Sequence, residues 1–123
     1  MITLTRVEAS TFELDDFADE LAAAEANREV GTRVLLENDR VKIWDLDLAP
    51  GDRLPFHCHG TPYFFVCVDE GRGLSRFPDG NAMTIDYSEG DTWFDEVQGG
   101  AEIHDLENVG DTRLRFTTVE LLA

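Results

Sequence analysis

Gly51-Asp-Arg-Leu-Pro-Phe-His57-Cys-His59-Gly-Thr-Pro-Tyr63-Phe64 is the most informative segment of the chain. The chain has three histidines, and two of them stand here one residue apart. The run from Tyr63 to Val68 is apolar and aromatic and reads as a buried strand. Side chains on a strand alternate with a period of two, so His57 and His59 share one face. Two imidazoles on one face, each with a lone pair to give, are two teeth of a metal claw. His104, the third histidine, has to close it from elsewhere in the chain.

Working outward, the turns set the rhythm. Asn38-Asp39, Ala49-Pro50-Gly51-Asp52, Glu70-Gly71-Arg72-Gly73, Pro78-Asp79-Gly80-Asn81, Ser88-Glu89-Gly90-Asp91, Gln98-Gly99-Gly100-Ala101 and Val109-Gly110-Asp111 separate short apolar runs. From Thr32 to Leu121 this spacing predicts roughly eight strands, the pattern of an all-β antiparallel sandwich or closed barrel. Upstream, residues 1–10 read as a short strand or extended arm. Ser10 or Thr11 can cap a helix near residues 13–27, with acidic residues in its early turns. Leu14, Phe17, Leu21 and Ala24 recur there at three- and four-residue steps, and Asn27 to Gly31 ends it. Its expected task is to cover the barrel or a subunit face. The expected organisation is an arm and helix over 1–31 and a barrel over 32–123.

A chain of 123 residues makes one domain with a core of useful size. Its 26 acidic residues against 10 basic ones leave a net charge of −16, which repels nucleic acid and anionic membranes. No apolar run is long enough to span a bilayer, and the first residues lack the basic and apolar regions of a secretion signal. A cytoplasmic protein is expected, with Cys58 and Cys67 reduced rather than bridged. Lys42 is the one lysine among the basic residues. Two readings of this acidic, lysine-poor composition stand side by side: adaptation to high salt, and a genome that favours arginine codons.

The spacing Gly51-x5-His57-x-His59, followed by Tyr63 or Phe64 and then Gly71, resembles the first motif of the cupins. Gly90-Asp91, the Gly99-Gly100 turn and His104-x3-Asn108 resemble the second. Together they cover about residues 32–122. The resemblance implies a double-stranded β-helix, a jelly-roll barrel with its site inside. It also implies that His57, His59 and His104 bind one divalent metal. A glutamate normally completes the cupin set; here its place falls on Tyr63 or Phe64, and neither is a carboxylate. The proline usual in the second motif is replaced by Gln98, Gly99 and Gly100.

Three neutral imidazoles suit Fe, Zn, Ni, Mn or Co and leave coordination positions open for water or substrate. Without the glutamate the site is more positive by one charge, which favours a small anionic ligand, a carboxylate above all. Tyr63 on the ligand face reads as a weak metal ligand, a catalytic proton donor or a clamp on substrate, or else as core. The histidines themselves have a structural alternative, a hydrogen-bonded pair in a metal-free barrel. Alternation points Cys58 away from the metal, and Cys67 reads as a small buried hydrophobe. Trp44 and Trp93 read as packing or as pocket wall. Arg76, Arg113 and Arg115 read as surface charges, unless one is aimed into the barrel to hold a carboxylate.

The function expected is a homodimeric, metal-binding cupin acting on a small anionic molecule by oxygenase, isomerase or lyase chemistry. The alternatives are a non-catalytic module that binds or senses such a ligand, and a structural dimer that binds nothing.

Overall fold

The computed structural model describes residues 6–123, so the first half of the expected arm lies outside the described residues. Ten strands follow one another: β1 (Val7–Thr11), β2 (Arg33–Glu37), β3 (Val41–Leu48), β4 (Arg53–His59), β5 (Tyr63–Asp69), β6 (Gly71–Arg76), β7 (Asn81–Tyr87), β8 (Thr92–Asp95), β9 (Glu102–Asn108) and β10 (Leu114–Leu121). They form two five-stranded antiparallel sheets, ordered β1-β7-β6-β9-β4 and β2-β3-β10-β5-β8. From β3 onward the chain crosses from sheet to sheet at almost every connection, with the β6–β7 hairpin as the one pause. This is the double winding of a jelly-roll, and the inner faces of the two sheets enclose the core.

Leu46, Leu48, Leu54, Cys67, Ile85, Tyr87, Leu106, Leu114 and Phe116 fill one end of the interior. Burying such side chains contributes about 1.5–3 kcal/mol each, so this end anchors the sandwich and leaves the other free for polar groups. Gly73 belongs to this packing. A Cβ there would sit 3.0 Å from Leu106 and 3.1 Å from Tyr87, so only glycine lets β6 approach. The expected turn at Glu70–Gly73 is therefore corrected. Glu70 alone links β5 to β6, and Gly71, Arg72 and Gly73 already pair with β7 as the chain changes sheet.

The N-terminal helix is present but broken. A 3-10 turn (Leu14–Phe17), a six-residue α1 (Ala18–Ala23) and a second 3-10 turn (Ala24–Ala26) replace one continuous helix. Neither Ser10 nor Thr11 caps it. Both lie in β1, opposite Ala82 and Asn81 of β7, because sheet pairing captures the extended segment before the helix begins. The helical segment is clamped onto the outer face of β4 instead. Glu20 accepts two bonds from Arg53 and one from the Phe56 N–H, while Phe12, Phe17 and Phe56 pack edge to face or tilted. Arg53 also lies 4.6 Å over the Phe17 ring.

Candidate metal centre

A bulge in β4 sets the site. Leu54 pairs with Leu106 of β9, and His57 pairs with His104, so two residues of β4 oppose Asp105 alone. Strict alternation from the inward-facing Leu54 would have turned Phe56 and Cys58 inward. The extra residue shifts the phase, so His57 and His59 face the interior and Phe56 and Cys58 face the N-terminal segment. Pro55 has no N–H to give to a ladder, which suits it to this position. On the outer side of the bulge, fully buried Asp105 accepts bonds from Arg53 Nε, the Arg76 N–H and Arg76 Nη1.

The three histidine rings converge. Their centroids lie 4.7–5.0 Å apart, and one nitrogen from each comes within 4.8 Å of the others. His57 Nδ1 donates to the Pro55 carbonyl at 2.8 Å, so its lone pair sits on Nε2. His104 Nδ1 stands 3.1 Å from Glu102 Oε1, and donation to that carboxylate again leaves Nε2 as the lone-pair atom. His59 stacks on Tyr63 at 3.7 Å and 14°, and its buried Nδ1 has no hydrogen-bond partner among the described residues. Burial, then the neighbouring His104, brings His57 down to about 3 and His59 down to about 2 from the usual 6.5. Both are therefore neutral at physiological pH, the state in which imidazole binds a metal. This donor set fits a divalent transition metal.

Glu102 is the site residue that sequence reading missed. It lies two positions before His104 on the same face of β9 and opposite His59 in register, so period-two alternation could have found it. The Tyr63 hydroxyl donates to its carboxylate at 3.1 and 3.3 Å. Burial opposes ionisation of Glu102, yet hydrogen bonds from His104, Asp95 and Tyr63 hold its carboxyl below the ordinary range. Asp95, opposite Tyr63 on β8, is pushed the other way by burial and by its hydrogen bond to Glu102. Burial raises the pKa of Tyr63 far above the usual value for a phenol, with Glu102 and Asp95 adding to the effect, so its hydroxyl stays protonated. The loop after Asp95 holds Val97 at φ 53°, left-handed for a β-branched residue, with its N–H on Asp95 Oδ1.

The expected surplus of positive charge is thus offset, because β9 supplies the carboxylate that the first motif lacks. Tyr63 lines the cavity, while Phe64 stands opposite Phe94 on the outward side of the sheet. The cavity measures about 340 Å³. His57, His59, His104, Glu102, Tyr63 and Asp95 line its polar part, and Phe65, Met83, Ile85, Tyr87 and Phe116 are among its apolar walls. Trp93 is at its edge, 43% exposed, whereas buried Trp44 bonds Glu120 and does not reach it. No arginine lines the cavity among the described residues. Arg76 pairs with Asp105 and Glu107, Arg113 with Asp47, and Arg115 with Asp45. Cys67 packs in the core, where burial pushes its thiol up to about 12, and Cys58 is buried on the opposite side of β4. Both are free.

The fold has relatives among solved structures. A cupin domain from Bordetella pertussis Tohama I superposes with a TM-score of 0.66 at 27% identity, over 73% of this chain and 90% of that one. This chain has the fold of a small cupin domain. A cupin superfamily protein from Desulfitobacterium hafniense DCB-2 (TM-score 0.53, 20% identity, 76% of this chain and 81% of that one) shares the cupin fold. So does an RmlC-like cupin from Methanocaldococcus jannaschii (TM-score 0.57, 19% identity, 77% and 84%). No family model matches the sequence, and no curated protein does. Among the described residues no helix is long and apolar enough to cross a membrane.

Proposed function

We propose that this cupin binds one divalent transition metal (Fe, Zn, Ni, Mn or Co) through His57, His59 and His104 and acts on a small organic acid. The observation that carries this reading is the convergence of three imidazoles, two of them oriented by Pro55 and Glu102. A bound metal would act as a Lewis acid on an oxygen of the ligand. Charge balance selects that ligand. Three neutral ligands leave a divalent ion's charge intact, Glu102 beside His104 offsets one unit, and a single carboxylate on the ligand offsets the other. The apolar walls then take a hydrocarbon or aromatic body.

Tyr63 is the catalytic residue of this reading. Its protonated hydroxyl, oriented by Glu102, can donate a hydrogen bond to the ligand and clamp it at the metal site. Glu102 is a positioning residue, since it orients His104 and Tyr63. All of these groups come from residues 32–123. Two free, buried thiols suit a cytoplasmic protein, and the working unit is a homodimer. Elemental analysis of untagged protein, followed by turnover of a panel of small acids with and without oxygen, tests the reading. Stoichiometric metal with turnover supports an enzyme, and metal with tight ligand binding alone makes it a binding module. Absence of metal after anaerobic reconstitution rejects both.

A further inference from the structure

Among the described residues no element covers the outer face of the sheet β2-β3-β10-β5-β8, and its pairing registers place five apolar residues in one line. Leu36 stands opposite Ile43, Ile43 opposite Val119, Val119 opposite Phe64, and Phe64 opposite Phe94. The line crosses the whole sheet, one residue per strand, over roughly 20 Å at the usual strand spacing of about 4.8 Å. Its two ends are open to solvent, Leu36 at 47% and Phe94 at 51%. Val66, on the same side, extends the band by one pair along β5. A continuous apolar band of this length is unusual on a free surface.

The charges around it say what covers it. Arg115 and Arg33 neutralise Asp45, and Arg113 neutralises Asp47. With Asp69 opposite Arg115, these three arginines balance three aspartates on the face. The whole chain carries −16. Two copies meeting through another, acidic surface would add repulsion, whereas this face lets them approach without it. The band is also self-complementary. Val119 is its midpoint, on the central strand, and a two-fold axis along β10 lays Leu36 over Phe94 of the partner subunit and Val119 over the partner's Val119. Face-to-face sheets pack at about 10 Å with apolar side chains interleaved, which this band supplies.

We propose that this outer sheet face, centred on Val119, is the homodimer interface, and that the second copy of the chain is its occupant. The helix, whose expected task included covering a subunit face, and the described part of the arm lie against the other sheet through the Glu20–Arg53 contact and β1. Sedimentation equilibrium of the parent and of Val119→Glu, Leu14→Glu and Val109→Glu tests this at micromolar concentration, with thermal unfolding as a check on folding. The expected result is a dimeric parent, a Kd raised at least ~100-fold by Val119→Glu, and dimers for the two controls, which alter exposed apolar residues elsewhere. Val119→Cys provides an independent readout: under oxidation it forms a disulfide-linked dimer, while the parent, with Cys58 and Cys67 buried, does not. A monomeric parent, a dimer broken by Leu14→Glu and not by Val119→Glu, or a Val119→Cys variant that stays uncrosslinked overturns the proposal.

Discussion

His57 faces His104 across the β4–β9 ladder although three steps of β4 separate it from Leu54 and only two steps of β9 separate His104 from Leu106. That one-residue mismatch brings an imidazole of the first motif against the imidazole of the second. It also explains why the pair His57/His59 and the outward pair Phe56/Cys58 exchange the faces that plain alternation from Leu54 would give them.

Each of His57→Ala, His59→Ala and His104→Ala is expected to lose bound metal, because two imidazoles make a poor chelate. Glu102→Gln keeps a hydrogen-bonding group but weakens the anchor on His104, and its metal affinity should fall about 10–100-fold. Competitive titration with a chromophoric chelator measures both. A His104→Ala variant that binds as well as the parent would show the donor set to be wrong.

Tyr63→Phe should retain metal and lose ligand binding or turnover, since it removes the hydroxyl and keeps the ring stacked on His59. Comparing metal content with kcat in the same preparation separates the two effects. Equal loss of both would assign Tyr63 to the frame of the site rather than to its chemistry.

Acid should destabilise the metal-free protein early. Burial holds His57 near 3 and His59 near 2 in the folded chain, against 6.5 for a free imidazole. As the pH drops below about 6.5 the unfolded chain takes up protons that the folded chain refuses, so stability is lost. Above that pH these two groups contribute no slope. Below it, down to about 3, each adds up to about 1.4 kcal/mol per pH unit. Urea unfolding between pH 7.5 and 5 measures this, and a midpoint unchanged across that window would contradict the burial of the two rings.

Asp105→Ala removes the anion that Arg53 and Arg76 share on the outer side of the bulge. With two partly buried guanidinium groups left facing each other, about 3 kcal/mol of stability should go. Denaturant titration reads the loss, and a change below about 0.5 kcal/mol, as for an ordinary surface site, would mean that solvent takes over the role of Asp105.

The net charge of −16 sets a third expectation for stability. If the acidity is an adaptation, the Tm should climb as KCl is raised toward molar levels and self-repulsion is screened. A Tm that stays level assigns the composition to codon usage.

Much of this was legible in the sequence, for reasons that differ from residue to residue. Glycines and turn dipeptides marked most connections, and the two histidine-bearing segments are local patterns, so the succession of strands and the three imidazoles could be read directly. Glu102 escaped because the search for a carboxylate stayed near His59, whereas the group comes from the strand lying opposite. Gly71 and Gly73 looked like a turn because glycine is common in turns; here Gly73 gives room for Leu106 and Tyr87. The helix near 13–27 has apolar spacing but little length, and contacts with Arg53 and Phe56 decide its broken form. Such tertiary choices leave no periodic trace.

The placement of the two tryptophans has an optical consequence. Trp93 stands half open at the edge of the cavity, and Trp44 is buried with its indole N–H on Glu120 and Lys42 over its ring. The chain contains no other indole. A molecule entering the cavity strips water from Trp93 and leaves the surroundings of Trp44 as they were. Emission excited at the red edge of the indole band therefore moves to shorter wavelength in proportion to occupancy, with the buried ring as a constant background. Ligands can be screened by light alone, with no label attached and before any reaction is known.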